Sequence, residues 1–75
     1  MVYEEELSVA AMHRICKKAG AERVSDSASA ELAKVLTEIG TKVARDALDY
    51  AIHAGRQTVK AKDVEIAASK LFGKR

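Results

Sequence analysis

The side chains of this 75-residue chain that could do chemistry are mostly positive charges near breaks in the helical pattern. They fall in three groups: Arg14, Lys17 and Lys18; Arg23; and Arg56, Lys60 and Lys62. The net charge of +2 understates them, because three consecutive acids, Glu4 to Glu6, precede the first predicted helix. Two interpretations are open: solvated charge that keeps a small domain soluble, and a surface that binds an anion.

The first break has the residue types of an anion-binding corner. Ser25 is able to cap the next helix through its hydroxyl, and Asp26 suits the positive end of that helix's dipole. Arg23 stands beside the free backbone amides of the same helix start, where many proteins bind phosphate groups. The pattern therefore favours an anion at this loop.

Metal and catalytic chemistry are not indicated. His13 and Cys16 supply two ligands where a structural zinc site needs four, so we expect no metal. Cys16 is instead predicted to be a small buried apolar group, and His13 a partly exposed polar one. The sequence has no nucleophile with a paired base, no framed carboxylate pair and no glycine-rich phosphate loop. We therefore expect no enzyme activity, no cofactor and no small-molecule substrate.

The longest predicted element is a helix from Asp26 to Ala54. Apolar residues recur three or four positions apart along it, and it contains no proline. At ~1.5 Å per residue it would be about 43 Å long, too long for a compact monomer of this size to enclose. Its outer face spaces Glu38 and Lys42 for an ion pair. Gly40 lowers the stability of the helix by about 1 kcal/mol relative to Ala. Either the helix tolerates this loss, or a second copy of the helix crosses at this point, which is the interpretation we favour.

Two shorter helices complete an all-α chain. The first is predicted to begin after Ser8 as N-cap and to stop at Gly20, and the third runs from about Ala61 to Phe72. Residues 56–59 are predicted as a brief extended segment. The order is short helix, loop, long helix, loop, short helix. We expect an acidic, disordered leader at 1–6, one folded domain at 7–72 and a frayed end at 73–75.

Composition limits how such a chain is stabilised. It is 48% apolar but only 4% aromatic, which suits helices packed through small aliphatic side chains. A domain this short has a small core, and its single cysteine rules out an intrachain disulfide, so oligomerisation is the remaining support. No apolar run is as long as a membrane span and the start lacks a signal peptide's regions, so we expect a soluble, cytoplasmic protein.

The strings AGAERVSD, LAKVL and AIHAGRQTVKAKDVEIA resemble the archaeal histones, the minimal histone-fold proteins. The resemblance covers Leu7 to about Phe72 and includes both loops. It implies the histone fold, in which two chains form a handshake homodimer. Their long helices cross, and each first loop lies beside the partner's second loop.

The resemblance also implies a function: an architectural protein, associated with the chromosome, that binds and wraps duplex DNA without strong sequence preference. Arg23 would enter the minor groove, held by Thr58 of the partner chain, while other cations and loop amides would face phosphates. The implied DNA-binding set is Arg14, Lys17, Lys18, Arg23, Ser25, Gln57, Thr58 and Lys60. Phosphate neutralisation and a bendable minor groove fit such binding.

Further residues take structural and assembly roles by the same resemblance. Arg56 and Asp63 would form an internal ion pair between the second loop and the third helix. Tyr50, His53 and Asp63 match positions through which dimers join into tetramers or longer polymers, with the imidazole of His53 bonding the carboxylate of Asp63 across that interface. The alternative is that His53 only stabilises a helix end.

Several positions depart from the family pattern. Gln57 replaces a usual lysine, Lys18 and Lys62 stand where acidic or neutral residues are frequent, and Ile52 replaces a basic residue. Prolines common near the first helix are missing. These departures leave the extent of polymerisation and a related histone partner open. The alternative function is a histone-fold member of a transcription complex, which pairs with a different chain and recruits other proteins.

Overall fold

The computed structural model describes residues 7–73, which contain three α-helices and no strand. The helices are α1 (Val9–Lys18), α2 (Asp26–His53) and α3 (Ala61–Leu71). The all-α class is confirmed, and residues 56–59 form a bend without a strand. The predictions for residues 1–6, 74 and 75 lie outside the described residues, and Gly73 lies in a turn.

Local capping explains where α1 begins and ends. Ser8 has extended backbone angles and its hydroxyl accepts a hydrogen bond from the Ala11 amide at 3.1 Å, which satisfies one free amide of the first turn. The amide of Ala19 still bonds the carbonyl of Ile15, at 3.0 Å. Gly20 then adopts a φ of 112°, a conformation that glycine takes without strain, and the helix stops.

The central helix α2 has 28 residues, so it is about 42 Å long at ~1.5 Å per residue. The Ser25 hydroxyl accepts from the Ala28 amide at 3.1 Å, the predicted cap. The helix ends at His53, one residue before the prediction, because Ala54 and Gly55 form a turn in which Gly55 has a φ of 76°. Lys42 forms its ion pair with Asp46 at 3.7 Å, not with Glu38 as predicted.

The chain divides into two compact units, Met1–Ile39 and Gly40–Arg75. The first buries Met12, Ser29, Ala33 and Thr37, and the second buries Ala47, Ala51, Asp63 and Ala67. Most of these side chains are small. Ten larger apolar side chains stay exposed: Leu7, Val9, Ile15 and Val35 in the first unit, and Leu48, Ile52, Val59, Val64, Ile66 and Phe72 in the second. A single chain therefore exposes more apolar surface to water than is typical of a soluble monomer.

Candidate nucleic-acid interface

The first loop, residues 19–25, is held at both ends by backbone and cap hydrogen bonds. At the α1 end the amide of Ala21 bonds the carbonyl of Cys16 at 3.1 Å. At the α2 end the Ser25 carbonyl accepts the Ser29 amide at 3.2 Å, and the neighbouring Val24 is half-buried. In the middle, the ammonium of Lys17 donates to the carbonyl of Glu22. The loop is therefore restrained at both ends and in its middle.

Arg23 lies at the exposed tip of this loop. Among residues 7–73, no side chain or carbonyl pairs with its guanidinium. An arginine keeps its charge at any physiological pH and carries five donors in a planar fork, so a free one on a fixed loop is suited to an external anion. Thr58, which is predicted to hold Arg23 of a partner chain, is exposed in the other unit.

The three cations of α1 are not equivalent. Arg14, Lys17 and Lys18 are all exposed and line one shallow groove with Ala11 and Ile15. Arg14 and Lys18 have no hydrogen bond or ion pair with another described residue. Of the three, Lys17 alone bonds another residue within 7–73, at Glu22. Among these residues Arg14 and Lys18 are therefore unpaired charges, whereas Lys17 is partly committed.

The second loop is organised by the carboxylate of Asp63. Arg56 donates to it through both terminal nitrogens, Nη1 to Oδ2 at 2.9 Å and Nη2 to Oδ1 at 3.0 Å. The amide of Lys60 donates to Oδ2 at 2.8 Å, which caps the start of α3. The hydrogen bond from Arg56 and then that from the Lys60 amide lower the pKa of Asp63 to about 2. Asp63 is therefore ionised throughout the neutral range.

The same arginine fixes the loop backbone. Arg56 Nη1 also donates to the carbonyl of Thr58, at 2.9 Å. These hydrogen bonds therefore fix the backbone of residues 56–60. The side chains of Gln57, Thr58 and Lys60 on this segment are exposed. These three are the members of the predicted DNA-binding set on this loop.

The residues predicted for assembly separate into two places. Tyr50 and His53 line an open groove of about 590 Å³ with Lys42, Asp46, Asp49, Lys70 and Leu71. His53 Nδ1 lies 2.8 Å from the Asp49 carbonyl, and the Lys70 ammonium lies 5.7 Å from the centre of the Tyr50 ring. Asp63 is not in this groove. Its side chain is only 5% exposed and already holds three donors of its own chain.

Sequence reasoning did not find Lys70 as a member of the groove. Lys70 lies 20 positions from Tyr50, in another helix, so no local spacing indicates the contact. Lys42 and Asp46 do have the i to i+4 spacing of a helical ion pair, but Lys42 has the same spacing from Glu38, the predicted partner.

Within residues 7–73 no three potential ligand side chains gather to hold a metal, and no helix there is long and apolar enough to cross a membrane.

Sequence comparisons place this geometry in a family. The sequence model for "Histone-like transcription factor (CBF/NF-Y) and archaeal histone" matches residues 5–68. The chain is 50% identical to a component of the archaeal histone HAN1 of Thermococcus zilligii and 52% identical to probable archaeal histone 3 of Methanocaldococcus jannaschii. Each match spans 62 residues, 83% of this chain and 92% of the relative. Histone H4 of Dictyostelium discoideum is 38% identical over 60 residues, 80% of this chain and 56% of that protein.

Three helices joined by two ordered loops, with this match, define a histone-fold protein. The chain belongs to the family of histone-like transcription factors and archaeal histones, and the resemblance seen in the sequence is confirmed. It is a DNA-binding architectural protein of chromatin, not an enzyme, and the alternative role in a transcription complex is not favoured. Pairing through the long helices is typical of this family.

Proposed function

We propose that two copies of this chain pair through crossing α2 helices and present their loops as a positively charged edge that binds and bends duplex DNA. The folded domain in this proposal is residues 7–72. Contacts to phosphates and to the minor groove carry the affinity, so binding depends little on base sequence. The protein then acts on the chromosome as a packaging component.

The distribution of apolar side chains supports the pairing. Four of the five buried apolar side chains are alanines, whereas ten larger apolar side chains are at least 39% exposed in the single chain. A second chain that covers them supplies the apolar burial that a domain of this length lacks. A Cβ added at Gly40 would meet nothing within 4 Å, so space for another backbone is open at the middle of α2.

The observation that carries the DNA-binding part is Arg23, whose guanidinium has no partner in the described part of the chain and lies on a loop that is held at both ends. Arg14 and Lys18 in the same unit, and Lys60 in the other, add exposed cations for phosphates. Gln57, Thr58 and Ser25 contribute polar groups and backbone amides. In the second loop, Arg56 and Asp63 hold the backbone and do not touch DNA.

Fluorescence anisotropy of a labelled duplex over a salt series tests this function. If about six phosphates are neutralised per dimer, the logarithm of the binding constant falls with the logarithm of salt with a slope of about −5. Arg23→Ala should weaken binding to unrelated sequences alike and leave the dimer folded. Lys34→Ala removes the same charge from the outer face of α2 and is the matched control, with a smaller expected effect. Affinity that is indifferent to salt would contradict the proposal.

Assembly beyond the dimer is proposed to use the groove at Tyr50 and His53. Its mixed charges and aromatic ring suit a second dimer, and His53 at the end of α2 is exposed. Since Asp63 is occupied by Arg56 and Lys60, a bond from His53 of a partner would have to use the carboxylate's remaining lone pairs. Nuclease protection reports the assembly: His53→Ala should shorten the protected fragments, and unchanged fragments would remove this residue from the interface.

A further inference from the structure

Lys17 differs from the other cations of α1 in where its ammonium lies. It donates a hydrogen bond to the carbonyl of Glu22, five residues further along the chain. That carbonyl belongs to the peptide group that joins Glu22 to Arg23. The side chain of Lys17 thus fixes the orientation of the peptide group that precedes Arg23.

No other hydrogen bond reaches the middle of the first loop among the residues that the structure describes. Before it, the amides of Gly20 and Ala21 return to the carbonyls of Lys17 and Cys16. After it, Ser25 is tied into the first turn of α2. Without the bond from Lys17, the backbone at Arg23 would be restrained only by the ends of the loop and by half-buried Val24.

We propose that Lys17 is a positioning residue for Arg23 and not a ligand of phosphate. This inference rests on the proposed DNA-binding function of Arg23. A guanidinium whose backbone is fixed before binding loses less conformational freedom on entering a groove, so its contact yields more affinity. Lys17 then contributes to DNA binding through Arg23, whereas Arg14 and Lys18 contribute through their own charge.

A double-mutant cycle separates these two roles. Lys17→Met keeps the aliphatic stem but removes the donor, and Lys18→Met is the matched control because it removes the same charge from the same helical turn. Each is measured alone and combined with Arg23→Ala, by anisotropy on one labelled duplex at fixed salt. Circular dichroism on all variants verifies that helix content and dimer stability are unchanged.

With Arg23 present, Lys17→Met should weaken binding about fivefold, the effect of one hydrogen bond worth about 1 kcal/mol. In the Arg23→Ala background Lys17→Met should cause almost no further loss, since the positioned group has been removed, whereas Lys18→Met should keep the effect of its own charge. Equal effects of the two lysine variants in both backgrounds would overturn the proposal. A loss for Lys17→Met that persists at full size without Arg23 would overturn it too, and would identify a direct phosphate contact.

A second measurement needs no DNA. In the free protein, Lys17→Met should lower the NMR backbone order parameter of Arg23 and shift the carbonyl resonance of Glu22, whereas Lys18→Met should change neither. Unchanged values in Lys17→Met would show that the tether does not form. If the wild-type protein bound no duplex DNA, the proposed function would fail, while this measurement would still decide whether Lys17 orders the loop.

Discussion

Replacing Gly40 by Ala distinguishes a lone α2 from a pair of crossing helices. In the single chain, a Cβ at this position meets no atom within 4 Å, so Gly40→Ala should simply remove a poor helix former. That gain is about 1 kcal/mol per chain, which raises the melting temperature of a domain this size by about 4–8 °C. If a second backbone passes at Gly40, the added methyl overpacks the crossing. Overpacking costs about 1–3 kcal/mol, which outweighs the gain.

The assay is thermal unfolding followed by circular dichroism at several protein concentrations. We expect Gly40→Ala to lower the melting temperature and to weaken the dimer, so that the loss grows on dilution. Ala30→Gly, at an exposed position of the same helix, calibrates the propensity change with the opposite sign. A melting temperature that rises by the propensity gain, independently of concentration, would refute the crossing at this residue.

Three other substitutions test the local account of the loops. The pKa of Asp63 is lowered from 3.8 to about 2, so its contribution to stability is complete above about pH 4 and is lost as pH falls toward 2. Asp63→Asn should therefore lack this loss of stability in acid when unfolding is measured against pH. An identical pH profile would contradict the ionic role of Asp63. Ser25→Ala should destabilise the fold by about 1 kcal/mol in urea unfolding through loss of the α2 cap. Ser27→Ala removes only an exposed hydroxyl that lies 3.2 Å from the Ser25 hydroxyl, so it should cost less, and equal effects would argue against the cap. The Ser29 hydroxyl is buried without a partner among the described residues, so Ser29→Ala should be neutral or stabilising, and a loss above about 1 kcal/mol would reveal a hidden hydrogen bond.

Features that depend on neighbouring residues were predictable from the sequence. Ser8 and Ser25 cap helices because their hydroxyls reach amides three positions ahead, and Gly20 and Gly55 adopt positive φ where the helices stop. The two C-terminal bounds, His53 and Leu71, each fall one residue short of the prediction, because turns replace the last helical residue. Capping chemistry acts over one turn, so the signal and the structure lie in the same few residues.

Contacts between side chains of different elements were less predictable. The Lys17 bond to Glu22 depends on how the chain leaves α1, and the approach of Lys70 to Tyr50 depends on how α3 packs on the second half of α2. Neither has a signature in spacing. Long flexible side chains also choose among several partners at similar energies, as Lys42 does in pairing with Asp46 rather than Glu38.

The two loops illustrate both cases. The pairing of Arg56 with Asp63 came from resemblance to known proteins, since a separation of seven positions across a turn gives no periodic signal. Its consequences follow from the structure, where one carboxylate accepts from the arginine and from the Lys60 amide while the arginine also bonds the Thr58 carbonyl. The exposure of Arg23 in the first loop, by contrast, could be predicted from the sequence, because Arg23 is charged and its neighbour Val24 is apolar and half-buried.

The mass of the DNA-free protein in solution, measured by light scattering over a dilution series with helix content recorded in parallel, tests the central claim most directly. One chain is 8.1 kDa. The pairing of two chains predicts twice that mass, with helix content lost only on dissociation. A helical, cooperatively unfolding species of 8.1 kDa would contradict it, because the exposed apolar side chains of α2 would then need no partner.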